Sequence, residues 1–172
     1  MTIKWDWVGY NIFCRKYLPS LSLYLQIRFM VIGEYIHTLD EKNRLSLPAK
    51  FRKEMGKKLI IVPGFDKSLF LFTVSEWQKR SARLAESSMF QSNNRSVARF
   101  LFGRAVETDV DASGRILIPD LLKAHAGLKQ KIALIGVHNR VELWDEKTWD
   151  TYKKQVEQNA DALAEGLGAL DN

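Results

Sequence analysis

A short pattern occurs twice in this chain, and any fold it adopts must accommodate both occurrences. Asp40-Glu41-Lys42-Asn43-Arg44-Leu45-Ser46-Leu47-Pro48 is echoed by Asp111-Ala112-Ser113-Gly114-Arg115-Ile116-Leu117-Ile118-Pro119. Both read Asp, two residues, Gly or Asn, Arg, aliphatic, any residue, aliphatic, Pro. An Asp followed by small or polar residues and then Asn43 or Gly114 predicts a tight turn. Gly, and after it Asn, best tolerate positive φ, while the Asp carboxylate bonds the backbone ahead of it. Arg44 and Arg115 then open strands, since Leu45 and Leu47, like Ile116 and Ile118, alternate with Ser46 and Leu117 at strand period. Pro48 and Pro119 suit the first turn of a helix, where the missing N–H is harmless.

The duplication continues past this pattern. Gly56 and Gly127 stand at the same distance from their prolines, where a left-handed cap ends a short helix. Leu59–Val62 and Lys131–Ile135 read as strands, each followed by a Gly, a polar turn and a second strand, 69–72 or 141–144. Thr73-x-x-Glu76 is a capping-box pattern, Asp145 is a good N-cap, and Trp77 and Trp149 occupy matching places in the helices that follow. Each unit is therefore turn, strand, short helix, hairpin, helix. Two such units are too few and too long for a solenoid, which predicts a pair facing each other about a pseudo-twofold axis.

Residues 30–172 resemble the MraZ family, whose tandem AbrB-like (SpoVT/AbrB) units each carry an Asp-x-x-Gly-Arg motif. Leu143-Trp144-Asp145 and His125-Ala126-Gly127-Leu128 fit the family as well, whereas Asn43 stands where the first motif has Gly. The resemblance implies an α+β fold of two β-rich units, 30–103 and 104–172, with Arg loops that contact double-stranded DNA. It also implies ring-like homo-oligomers that place several loops on repeated short promoter boxes. The implied role is a cytoplasmic, nucleoid-associated transcriptional regulator, a repressor of its own division and cell-wall gene cluster, with no cofactor.

Residues 1–29 lie outside the duplication, are rich in Trp, Tyr and Phe, and show no clean period. Arg15 and Lys16 interrupt their apolar run, and no Ala-x-Ala site follows, which argues against a signal peptide. They are expected to be a poorly ordered extension, or to precede a biological start at Met30. No run approaches the roughly 18 apolar residues of a membrane span. A single cysteine, Cys14, excludes an internal disulfide framework.

The net charge is +6, but Lys4, Arg15, Lys16 and Arg28 against Asp6 place +3 of it on residues 1–29. Distribution says more than the sum. Lys42, Arg44, Lys50, Arg52, Lys53, Lys57 and Lys58 outnumber Asp40, Glu41 and Glu54 in the first unit, and the matching stretch of the second unit is less basic. Ser75–Ala85 and Arg95–Arg104 read as helices joined by a polar loop, with Phe90, Phe100 and Phe102 expected to pack. A last helix is expected to run to about Glu165, with fraying from Gly166 onward. Trp77 and Trp149 suit either the core or a subunit contact.

Enzymatic patterns are thin. His37, His125 and His138 are scattered, with His125 expected on a helix surface, and no metal-ligand spacing or phosphate-binding loop is present. Asp40 and Asp111 could form a carboxylate dyad at the pseudo-twofold axis, but each sits in a turn-forming context. Arg44 and Arg115 admit two readings. Each could staple its turn by pairing with the Asp four residues earlier, or offer phosphate or guanine a guanidinium fork. The resemblance assigns them to DNA. Lys42, Asn43, Ser113 and Gly114 share their loops and could offer phosphate contacts, while Lys50 and Lys53 extend the basic surface. The competing readings are an AbrB-type antitoxin or other protein-partner module, and a hydrolase built on the Asp pair.

Overall fold

The computed structural model describes residues 30–168. Residues 1–29, on which the expected extension falls, and residues 169–172 lie outside the described residues. In order, the elements are β1 (Val31–Thr38), β2 (Arg44–Ser46), α1 (Ala49–Met55), β3 (Lys58–Pro63), β4 (Leu69–Thr73), α2 (Val74–Ala85) and α3 (Ser92–Phe102). The second half repeats them as β5 (Val106–Asp109), β6 (Arg115–Leu117), α4 (Asp120–His125), β7 (Lys131–His138), β8 (Val141–Asp145) and α5 (Glu146–Gln158), followed by α6 (Ala160–Gly168). The fold is α+β.

Six strands form one antiparallel sheet in the order β1-β7-β8-β4-β3-β5, and β2 pairs with β6 in a separate two-stranded ribbon. Exchanging each strand for its counterpart in the other half reads the six-stranded order backwards, so the pseudo-twofold axis passes between β4 and β8. The halves do not stack face to face as expected. They interleave edge to edge, because β1 pairs with β7 and β5 with β3, so each half lends its first strand to the other. The ribbon is shared in the same way, centred on Leu45 opposite Ile116.

The apolar alternation of the two motifs closes the core. Leu45, Leu47, Ile116 and Ile118 are buried, together with Phe51 and Leu122 from the short helices and Leu59, Ile61, Leu71, Ile132, Leu134 and Leu143 from the sheet. The other face of each hairpin carries its own cluster, Ile60, Val62 and Phe72 against Trp77 in the first half and Ala133, Ile135 and Trp144 against Trp149 in the second. Trp77 lies 5.8 Å from Phe72 and Trp149 5.6 Å from Trp144, centroid to centroid, so both tryptophans anchor a helix to the sheet. Both N-caps form, but the capping box at Thr73 is only half made, because Glu76 Oε1 accepts from Lys79 Nζ at 2.6 Å. Thr73 Oγ1 accepts from the Glu76 N–H, and Asp145 Oδ1 accepts from the Lys147 N–H.

Strands β1 and β5 were not among the expected elements. β1 crosses β7 with Gly33 opposite Gly136, and a Cβ on Gly136 would come within 2.7 Å of the Val31 and Ile32 backbone, so the close strand approach requires glycine there. α3 begins at Ser92, earlier than Arg95, because its cap lies at Gln91. Phe100 stacks on Phe65, and Phe102 meets Trp77 edge-on, but Phe90 is 89% exposed and does not pack. The expected last helix is broken at Asn159 into α5 and α6, and α6 continues to Gly168 where fraying was expected.

Candidate nucleic-acid interface

The two Asp turns are built alike. Asp40 Oδ1 accepts from the backbone N–H of Lys42 and of Arg44, and Asp40 Oδ2 accepts from Arg44 Nε at 2.8 Å. Asp111 does the same with Ser113, Arg115 and Arg115 Nε, the last at 2.9 Å. The N–H of Asn43 donates to the Asp40 carbonyl, and that of Gly114 to the Asp111 carbonyl. The Arg44 backbone N–H is the main cause holding Asp40 below the ordinary carboxylate value of 3.8, helped by the Arg44 side chain and the Lys42 N–H. Arg115 acts on Asp111 in the same way, backbone first and guanidinium second. Both carboxylates are therefore held ionised, whereas a dyad sharing a proton needs one of the pair raised.

The stapling reading of Arg44 and Arg115 is thus realised, and it leaves each guanidinium presented outward. Asp40 takes Arg44 Nε, and among the described residues the terminal nitrogens of Arg44 have no acceptor. Asp111 takes Arg115 Nε and lies 2.8 Å from Nη2, leaving Nη1 and the second N–H of Nη2 for an end-on fork. The staple fixes the direction of the fork, which lowers the entropy lost when it meets a ligand.

The ribbon sets the spacing of the pair. Arg44 lies opposite Leu117 and Ser46 opposite Arg115, so these four side chains share the ribbon's outer face while Leu45 and Ile116 turn into the core. Arg44 and Arg115 stand on a diagonal of this ladder, about 7–8 Å apart. Leu117 lies in the same face and is 55% exposed. Sequence reasoning passed over it as a mid-strand residue. The available signal was its place out of phase with Ile116 and Ile118.

The loops lock together across the axis. Asn43 Nδ2 donates to Asp120 Oδ1 at 2.6 Å, and Lys123 Nζ donates to Asn43 Oδ1 at 2.7 Å. At the matching place in the second loop, Arg52 Nη1 reaches toward the Ser113 carbonyl at 3.5 Å and lies over Gly114. Arg52 and Lys123 are counterparts in the duplication, so each short helix secures the loop of the other half. Asn43 takes up positive φ (56°), as Gly114 does (77°), so it fills the glycine position of the motif without altering the turn.

The expected site residues therefore separate geometrically. Lys42 and Ser113 are exposed in the loops, and Lys50 and Lys53 on α1. Asn43 has both ends of its amide engaged, and Gly114 is buried with its N–H used inside the turn. The second half lacks the lysines of α1: Leu121, 60% exposed, stands in the place of Lys50, and Ala124 in that of Lys53. His125 is not a free surface residue. Its Nε2 is 3.1 Å from the Gly64 carbonyl and its ring packs on Phe100. Among the described residues no cluster of His, Cys, Asp or Glu could hold a metal ion, and no helix is long and apolar enough to cross a membrane.

A family model described as "MraZ protein, putative antitoxin-like" matches this chain twice, over residues 30–100 and 101–168. The chain is 40% identical over 138 residues to a protein of Pediococcus pentosaceus named "Transcriptional regulator MraZ", an overlap of 80% of this chain and 96% of the relative. It is 38% identical over 138 residues to the protein of the same name from Caldanaerobacter subterraneus subsp. tengcongensis, covering 80% and 96%. The Acetivibrio thermocellus relative, also of that name, is 39% identical over 141 residues, covering 82% and 99%.

Proposed function

The chain belongs to the MraZ family, and on that premise we propose that it is a transcriptional regulator that reads DNA with the outer face of its β2–β6 ribbon. The observation that carries this is the pair of stapled guanidinium groups on one face of a two-stranded ribbon. B-DNA's major groove admits such a ribbon, and an Arg fork matches guanine O6 and N7. Arg44 and Arg115 supply the base-reading groups, with Leu117 between them as apolar surface for a thymine methyl. Lys42 and Ser113, with Lys50 and Lys53 on α1, contact phosphates. Asn43 and Gly114 shape the loops that aim these groups.

Residues 30–103 and 104–172 act as the two units of one reading head. A single head has a small footprint, and linking several through self-association raises avidity on repeated boxes without any new contact type. The chain binds such boxes in its own promoter as a repressor of its division and cell-wall cluster, in the cytoplasm at the nucleoid. The test is retardation of its upstream DNA by the full chain, with Arg44→Ala beside it, at low and moderate salt. The parent is expected to retain that DNA at moderate salt, and the variant to lose it. Equal binding to any sequence, vanishing alike for both proteins as salt rises, would overturn the reading.

A further inference from the structure

The chain carries an acidic helix whose apolar residues are exposed among the described residues and, in its other half, an apolar groove with a basic rim. After Lys154 there is no Lys or Arg, while Glu157, Asp161, Glu165 and Asp171 follow. Within α6, Ala160, Leu163 and Ala164 recur at i, i+3 and i+4, the spacing of one helix face, and Asp161 and Glu165 stand one turn apart beside it. All side chains from Lys154 to Gly166 are exposed, Leu163 to 53%. An apolar stripe on a short helix has little reason to form in water unless a partner covers it.

The groove lies between α2 and α3 and encloses about 710 Å³. Its floor is apolar, including Phe72, Trp77, Leu84 and Val97, and at its rim stand Arg80 and Arg83 of α2, with Lys79 paired to Glu76 at 2.6 Å. Arg80 is held over the Phe72 ring at 5.4 Å, and Arg83 makes no ion pair among the described residues. The duplication sharpens the contrast. In the first half the helix after the hairpin helix folds back to form the groove, whereas in the second half α6 follows α5 and is exposed among the described residues.

We propose that α6 of one copy of the chain lies in the α2–α3 groove of a second copy, with its apolar stripe on the aromatic floor and its acids against the basic rim. This is helix-in-groove recognition, with i, i+3 and i+4 anchors and complementary charge fixing the orientation. It deepens the self-association proposed above and rests on it. Helix and groove belong to different halves, so every copy gives one helix and receives one. Such a contact is heterologous and builds a closed ring or an open filament, not an isolated twofold dimer.

The test measures the mass of the full chain in solution by light scattering, with its DNA retardation recorded separately. Arg83→Glu and Glu165→Arg are each expected to raise the concentration of half-assembly about ten-fold, and the double variant to restore it. Leu163→Cys with Val97→Cys in a Cys14→Ser background is expected to oxidise to a ladder of covalently linked multimers. A parent chain that stays monomeric, single variants that assemble like the parent, or a crosslink confined to one chain would each overturn the proposal. A parent that assembles through this contact yet retards no DNA would instead sink the DNA-reading function alone.

Discussion

Arg52 lies across Gly114: a Cβ added to the glycine would come within 1.8 Å of Arg52 Nη1. The contact joins the short helix of one half to the Arg loop of the other, and its counterpart joins Lys123 to Asn43. The two loops are therefore not interchangeable, although their turns are.

Gly114→Ala meets a φ of 77° that a side chain disfavours, while the exposed Arg52 side chain can swing clear of the added Cβ. It should destabilise the fold by about 1–3 kcal/mol, visible as a lower denaturant midpoint. Adding Arg52→Ala should recover little of it, because the cost lies in the backbone φ. Asn43→Gly should keep the turn but lose the amide bonds to Asp120 and Lys123, costing about 1 kcal/mol. A neutral Gly114→Ala would remove the proposed constraint.

Asp40→Asn should cost stability in a pH-dependent way. The folded carboxyl lies below its ordinary value of 3.8, so its contribution is fully present above about pH 4 and is lost as the pH falls through the lower folded value. Unfolding midpoints of parent and variant should differ most near neutral pH and converge below about pH 4. Asp111→Asn should behave alike. A gap that widens in acid would show that the two staples have been misread.

Arg44→Ala and Arg115→Ala should each lose about 1–3 kcal/mol of specific DNA binding while remaining folded. Lys in place of either Arg should not restore it, because an ammonium cannot make the two parallel bonds of the fork. A variant that melts instead would leave Arg44 as a staple only. Lys50→Ala or Lys53→Ala should weaken binding to every sequence and reduce the salt slope by about 1. Altered sequence preference in a Lys variant would contradict that division of roles.

Leu117→Ser makes the second strand of the ribbon like the first, where Ser46 holds the equivalent place. The parent should bind more weakly when deoxyuridine replaces one thymidine of its box, because the base then lacks the methyl group. The variant should be indifferent to that change. Equal sensitivity in both proteins would place Leu117 away from the bases.

What could be read from the sequence was local. The Asp turns, the buried alternation of Leu45, Leu47, Ile116 and Ile118, and the caps at Thr73 and Asp145 depend on neighbours within a few residues, and all formed as their chemistry dictates. What escaped depends on distant partners. β1 and β5 lie at the sheet's edges and pair only with strands of the other half, and neither carries a clean apolar alternation. His125 reads as a surface residue until its carbonyl partner, Gly64, arrives from the other half. The break at Asn159 likewise has no marker in its own composition, whereas the outward turn of Leu117 was legible in the alternation of Ile116 and Ile118.

The exchange of β1 and β5 bears on how such a chain could have arisen. A single ancestral unit with this wiring could complete its sheet only by meeting an identical molecule, so its folding would depend on dilution. Joining two units end to end turns that encounter into an internal step with an effective concentration of about millimolar or more. It also releases the halves from having to match. A pair of identical chains presents the same two loops to any target, whereas the fused molecule can keep Leu117 on one side of its axis and Ser46 on the other, and so tell the direction of an unsymmetrical site.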